Sequence, residues 1–506
     1  MPFRDFIHRY DIVRDILESS TRNTMTIISG PMGAGKSSYM YACLEVYPRL
    51  LRKVIVGVAL REHRDTIYTT LDRRDKILLK SKFEFCHRHR CKGDIVYDVA
   101  VCSTCRERNI CQYFQTIRDI RSRDSFVVIT THDQVSNIYH YAQLIVLDEF
   151  DFSLKKFKLY SRRYIEYIRR RFGDRAYRNV MNVLSRDFIA KKMIVKRGDG
   201  YRVEDIFFMP KNRDYTDQVF YRNHVFITAT IPTITPEVLD DVNVRKVLSD
   251  VGDDFEFVDI LIKSIYMNIY KLYTFYFYDP VAYDFVGRRI HLSNLIKNDM
   301  IFVYRSKVYQ SFERSLSTGI RYTIEFANLA ISRGKTVGIV VPNRRVASII
   351  ASRLPYPPSM VKIIWVAGRE SRGLSIDRDV VIAWYQYPKP ETIVHDGVTE
   401  SGRPFDSYII STAISLLNQY IDILNRYPVE IENIILKLLI HAENIQSLFR
   451  FIRSWRREHI VIILDWRMFE AMKWFESTLE YLYDNRDRIY ISNSLPDIYQ
   501  HVREIL

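Results

Sequence analysis

Short apolar runs alternate along the chain with longer stretches whose apolar residues recur at helical spacing, and that alternation predicts an α/β protein. Met25–Ser29, Lys53–Ala59, Phe126–Thr130, Leu144–Leu147 and Val225–Thr228 are β-branched runs bounded by polar residues. Strands of a parallel sheet, buried on both faces, have this character. A second set follows at Thr336–Val341, Val361–Val366, Val380–Trp384 and Ile460–Leu464. Two α/β lobes are expected, at residues 1–240 and 325–506, with 241–324 as a linker or accessory region. The expected first lobe carries two insertions. One is a cysteine-rich segment over 80–115. The other is a basic helical insert over 152–221, with Lys155, Lys156, Arg162, Arg163, Arg169, Arg170 and Arg171, and a hairpin turning at Arg197-Gly-Asp-Gly200.

Composition sharpens this picture. A chain of 506 residues exceeds one compact domain, and its 47% apolar content is that of globular domains with cores. No run approaches the ~18 apolar residues of a membrane span, so no membrane partner is expected. The N-terminal stretch lacks the apolar core of a signal peptide, which reads as an intracellular, cytoplasmic protein, or one in the host cytoplasm if a virus or mobile element encodes it. The net charge of +15 favours a phosphate-rich partner, nucleic acid above all, over a merely basic surface. Five of the six cysteines lie between Cys86 and Cys111. In an intracellular chain such crowding favours a metal over disulfides.

Two motifs carry chemistry. Gly30-Pro-Met-Gly33-Ala34-Gly35-Lys36-Ser37 fits the phosphate loop G-x-x-x-x-G-K-S/T without a mismatch, between an expected strand and an expected helix from Lys36 to about Tyr47. Its glycines let backbone N–H groups curl around phosphate oxygens. Gly30, Gly33, Ala34, Gly35, Lys36, Ser37 and Ser38 are the expected nucleotide contacts, with Lys36 on the β/γ-phosphates and Ser37 on Mg²⁺. Leu144-Ile-Val-Leu147-Asp148-Glu149-Phe150-Asp151 is the acidic counterpart. Asp148 would hold Mg²⁺, and Glu149 would orient and deprotonate the attacking water. An acidic pair after a strand is often only a loop or helix cap; the phosphate loop upstream favours ATP hydrolysis.

Asp148-Glu149-Phe150-Asp151 resembles the DExD/H box of superfamily 2 helicases, and other pieces arrive in that family's order. Thr228-Ala229-Thr230 resembles the motif coupling ATP state to movement, and Thr130–Gln134 lies where a strand-binding motif is expected. Ser371–Ile376, with Gly373, resembles motif V. Gln446–Arg453 resembles motif VI, whose arginines, here Arg450 and Arg453, would reach the γ-phosphate from the second lobe. Gln446 is a further expected catalytic residue. The closest subgroup is similar to the iron–sulfur helicases related to XPD and DinG, through Cys111–Phe114, Val380–Pro388 and His459–Arg467. Motif VI has Phe449 where the family has glycine, and motif V has Ser375 where an acidic residue is common.

The resemblance implies two RecA-like P-loop lobes, parallel sheets flanked by helices, with ATP and Mg²⁺ between them. It implies an ATP-dependent helicase or translocase on single-stranded or forked DNA, moving 5′→3′, with RNA also open. An ATP-dependent clamp or remodeller without processive unwinding is the alternative. The cysteines lie where the related helicases insert a cluster domain. Cys86, Cys102, Cys105 and Cys111 would hold a 4Fe–4S cluster with Cys91 left spare, or the site would hold Zn²⁺, which His87 or His89 could join; free buried cysteines without a metal are the plain alternative.

Overall fold

The computed structural model describes residues 24–30, 33–86, 91, 94–135, 137–149, 160–187, 189–197, 200–208, 223–233, 235, 238, 241–251, 286–291, 298–305, 312–366, 376–385, 392–395, 398–401, 426–452 and 457–506. In chain order the first strands are β1 (Thr24–Ser29), β2 (Lys53–Val58), β3 (Lys76–Leu78), β4 (Phe126–Thr131) and β5 (Leu144–Asp148). Then come β6 (Tyr160–Ser161), β7 (Ile189–Arg197), β8 (Gly200–Phe208), β9 (Asn223–Ile227) and β10 (Val286–His291). The remainder are β11 (Met300–Tyr304), β12 (Val337–Val341), β13 (Val361–Trp365), β14 (Val380–Ala383), β15 (Thr392–His395), β16 (Val398–Ser401), β17 (Ile460–Ile463) and β18 (Ile489–Ser492).

Seven strands form one parallel sheet in the order β10-β1-β9-β5-β2-β4-β3. Val54, Ile55 and Val56 of β2 and Leu144 to Leu147 of β5 are buried, as the β-branched runs require. Register fixes the functional end. Ile28 and Asp148 pair with the same residue, Ile227, so β1 and β5 finish level on either side of β9. The loop leaving β1 and the turn that closes β5 therefore meet beyond the carboxyl edge, where open α/β sheets bind ligands. Six more strands form a second parallel sheet, β13-β12-β14-β17-β11-β18. Two parallel sheets flanked by helices are the two RecA-like lobes expected.

The stretch expected as a linker or accessory region, 241–324, is instead woven into both lobes. It supplies β10 to the first sheet and β11 to the second, along with most of the helix Phe312–Ser332. The second lobe thus begins before 325. The basic insert is only half helical. Its helix, Arg162–Asp187, is broken at Gly173, where φ is 82°. Beyond it, β7 and β8 form the expected hairpin, closing at Arg197↔Gly200. These strands belong to an antiparallel sheet, β15-β16-β7-β8-β6, to which β15 and β16 come from far along the chain, with Thr399 opposite Lys196. Lys155 and Lys156 lie outside the described residues.

The two insertions share a core. Cys91, Val96, Tyr97, Ala100 and Val101 of the cysteine segment pack with Ile165, Ile168, Ala176, Val180 and Leu184 of the basic helix. Among the described residues, no helix is long and apolar enough to cross a membrane.

Candidate nucleotide site between the lobes

The loop after β1 bends through glycines that a side chain would strain: φ is 145° at Gly30, 88° at Gly33 and 81° at Gly35. The helix Lys36–Val46 starts directly from Gly35, so its N-terminal N–H groups and dipole face the loop, an arrangement suited to anions. Lys36 Nζ reaches across the loop and donates to the Gly30 carbonyl at 2.8 Å. Ala34 and Ser38 sit partly exposed beside it.

Asp148 is almost wholly buried at the end of β5. Ser37 Oγ donates to its Oδ1 at 2.9 Å, which joins the hydroxyl and carboxylate singled out in the sequence. Two oxygen donors of this kind fit a hard cation such as Mg²⁺. Tyr41 lies one helical turn after Ser37, on the same face, and donates to Asp148 Oδ2 at 2.7 Å. Burial first, and Asp148 next, push this phenol well above its usual value, so it is a donor. His132 Nε2 contacts the carbonyl oxygens of Asp148 at 2.9 Å and Gly57 at 3.1 Å. Two acceptors make this nitrogen the protonated one. His132, expected in a strand-binding motif, is thus buried against the acidic turn.

That turn is unusual. Glu149 has φ 53°, in the left-handed region, where a non-glycine residue costs ~1–3 kcal/mol and which clusters at functional sites. Its Oε1 accepts from Arg450 Nη2 at 2.6 Å, from the opposite lobe. Arg450 is buried in the turn that ends the helix Pro428–Leu448, one turn beyond the buried Gln446. Ile376 N donates to the Arg450 carbonyl at 3.2 Å and Arg378 N to that of Phe451 at 3.1 Å, so the segment Ile376–Arg378 is stitched to the turn that carries Arg450. Gly373 and Arg453 lie outside the described residues.

Thr228 to Thr230 continue from β9 toward the second lobe. Thr228 N donates to Ile28 O at 3.1 Å, and Thr230 N to Thr228 Oγ1 at 3.1 Å. Ser477 Oγ donates to the Ala229 carbonyl, Glu476 N to Ile231 O at 3.1 Å, and Thr233 N to Trp474 O at 2.9 Å. This segment therefore bridges the lobes through its backbone.

The cysteine segment is anchored by Arg64, which is fully buried and donates to both oxygens of Glu84 at 3.0 and 2.8 Å. Cys86 comes directly after this anchor. Cys102 lies in the helix Ile95–Thr104, Cys105 ends that helix, and Cys111 caps Gln112–Ser122. Cys91, expected to be spare, is buried and hydrogen-bonds Cys102. That bond, with Lys82 opposing burial, lowers the Cys102 thiol to about 7. Among the described residues no three His, Cys, Asp or Glu side chains converge to hold an ion. The four-ligand set expected for a cluster or zinc is thus not assembled among the described residues, and no chemistry is assigned to one. His87 and His89 lie outside the described residues.

Sequence reasoning missed Tyr41, because a tyrosine inside an apolar helix reads as core. Its spacing of one turn from Ser37 was the available signal.

A phosphate loop, an acidic strand end with one strand between them, and an arginine entering from a second parallel lobe define a two-lobe P-loop nucleotide-binding fold. No family model and no curated protein matches the chain. Among solved structures it is similar to an apo XPD, at 13% identity and TM-score 0.47, over 95% of this chain and 100% of that one. It is also similar to Xpd4 of S. tokodaii (11%, TM-score 0.43, over 96% and 99%). A third is Dbp5 of S. cerevisiae bound to RNA and ADP BeF3 (10%, TM-score 0.40, over 100% and 97%). The two-lobe fold itself is carried by the strand order and register of the two parallel sheets.

Proposed function

We propose that the chain is an ATP hydrolase that couples turnover to movement on nucleic acid, a superfamily 2 helicase or translocase acting on single-stranded or forked DNA. The observation that carries this reading is the pairing of Arg450 with Glu149 across the two lobes, next to Ser37 and Asp148. An arginine from one lobe on the acidic turn of the other makes hydrolysis depend on how the lobes meet.

Lys36 turns from the Gly30 carbonyl to the β/γ-phosphates. Ser37 and Asp148 would hold Mg²⁺, which neutralises phosphate charge when bound. Glu149 orients water and takes its proton. To do so it exchanges Arg450 for water, and Arg450 shifts to the γ-phosphate. The backbone links from Ala229, Ile231 and Thr233 to residues 474–477 pass that exchange to the second lobe. Arg162, Arg163, Arg169, Arg170, Arg171, Arg175 and Arg178 are exposed on the basic helix and supply charge for the phosphodiester backbone. The resemblance suggests 5′→3′ movement.

The test is the ATPase rate with single-stranded DNA, duplex or RNA added, and then a forked duplex. Single strands are expected to stimulate turnover, and strand release is expected from the fork. Stimulation without release would instead favour the clamp or remodeller. An ATPase indifferent to every nucleic acid overturns the reading. Lys36→Ala is expected to abolish turnover with the fold intact, and turnover retained in that variant removes the phosphate-loop assignment.

A further inference from the structure

Asp148 uses its two oxygens differently. Oδ1 faces the Ser37 hydroxyl at 2.9 Å, and Oδ2 accepts the Tyr41 hydroxyl at 2.7 Å. His63 Nε2 stands 3.9 Å from Oδ2, beyond hydrogen-bond range. Tyr41 is held firmly: it is 2% exposed and belongs to the buried cluster that contains Ile28, Leu44, Val56 and Ile227. The backbone on either side of the carboxylate is fixed too, by β5 and by His132 on the Asp148 carbonyl. The carboxylate therefore cannot swing to offer both oxygens to one cation without breaking a buried hydrogen bond.

We propose that Tyr41 is a positioning residue that makes Asp148 a one-oxygen ligand and so sets the site's preference for Mg²⁺ over Ca²⁺. The inference rests on the ATP-site reading. The chemistry comes from the ions. Mg²⁺ demands near-octahedral geometry, keeps several waters and takes few carboxylate oxygens, whereas Ca²⁺ accepts six to eight oxygens and uses carboxylates in bidentate fashion. With Oδ2 occupied by a phenol, only the first mode is open. Removing that hydroxyl frees the carboxylate to turn and bind through both oxygens. Groups in this supporting position typically change metal affinity ~10–100-fold.

Tyr41→Phe keeps the ring and deletes only the donor. Binding of a fluorescent ATP analogue is titrated with Mg²⁺ alone and with Ca²⁺ alone, which reads metal preference independently of turnover. The wild type is expected to bind more tightly with Mg²⁺. In Tyr41→Phe the Mg²⁺-supported affinity is expected to fall roughly 10-fold or more, while Ca²⁺-supported binding holds or rises. An unchanged Mg²⁺/Ca²⁺ ratio in a destabilised variant would show a purely structural tyrosine and overturn the proposal. The wild type alone provides a second check, since equal support by the two ions also overturns it. Wild-type protein that binds the analogue without any divalent dependence removes the ATP-site reading itself, which separates that failure from this one.

Discussion

Arg450 Nη2 lies 2.6 Å from Glu149 Oε1, an ion pair between residues 301 positions apart that belong to different lobes. If Arg450 serves the transferring phosphate, Arg450→Ala is expected to leave nucleotide affinity nearly unchanged and to slow hydrolysis by ~10²-fold or more. Glu149→Gln is expected to bind ATP and retain it unhydrolysed. Equilibrium binding alongside single-turnover hydrolysis checks both. Wild-type hydrolysis by Arg450→Ala would remove the arginine from the mechanism.

Gly338 lies in β12 against the ring of Phe451, the residue after Arg450. A Cβ built on Gly338 would stand 2.4 Å from Phe451 Cγ, so the ring would have to move. Gly338→Ala is expected to cost ~1–3 kcal/mol in chemical denaturation and also to slow ATP turnover, because Arg450 is displaced with its neighbour. A destabilised variant with full turnover would show that the turn absorbs the shift.

His459 is buried between two carboxylates, with Nδ1 2.8 Å from Asp299 and Nε2 2.9 Å from Asp377. Burial alone would lower its pKa, but the bonds to Asp299 and Asp377 overcome it and raise the imidazole to about 9. Its contribution is fully present below the unfolded value near 6.5 and fades as pH rises through 9. The size is on the order of 3 kcal/mol. Unfolding midpoints between pH 6 and 10 should fall across that window, and His459→Gln should flatten the curve. A parallel decline in the variant would assign the effect elsewhere.

Arg64 and Glu84 tie the cysteine segment to the first lobe. Against burial, which would raise it, Arg64 and Ser81 hold the Glu84 carboxyl down to about 2. Arg64→Ala leaves that partly buried carboxylate with the Ser81 donors and Arg61 Nε at 3.6 Å, and is expected to cost ~1–3 kcal/mol. Limited proteolysis should then cut first near residues 82–86. Cleavage unchanged in site and rate would show that the segment is held by other contacts.

The sheets were legible where sequence physics is local. The β-branched runs of β1, β2, β4, β5 and β12 announce buried parallel strands, and Gly30 to Ser37 announces the loop. β10 and β11 were missed because they lie in or beside a stretch rich in tyrosine and phenylalanine, where no alternation marks the boundaries. The pairing of Thr399 with Lys196 depends on a contact between distant insertions that spacing does not encode. In the site, Lys36, Ser37, Asp148 and Glu149 were readable from motif chemistry. Tyr41 and the thiol contact of Cys91 were not, since a tyrosine or cysteine among apolar residues is indistinguishable from core until its partner is placed.

Tyr97 and Ile168 sit in one core although they come from separate insertions. Among the described residues, the buried apolar side chains of 91–101 and 160–184 belong to this single cluster. Deleting either one exposes the apolar face of the other, so a truncation meant to isolate one should aggregate, not simplify the protein. The same dependence bears on ancestry: relatives that have lost one insertion should have lost the other, or have repainted its inner face with polar side chains.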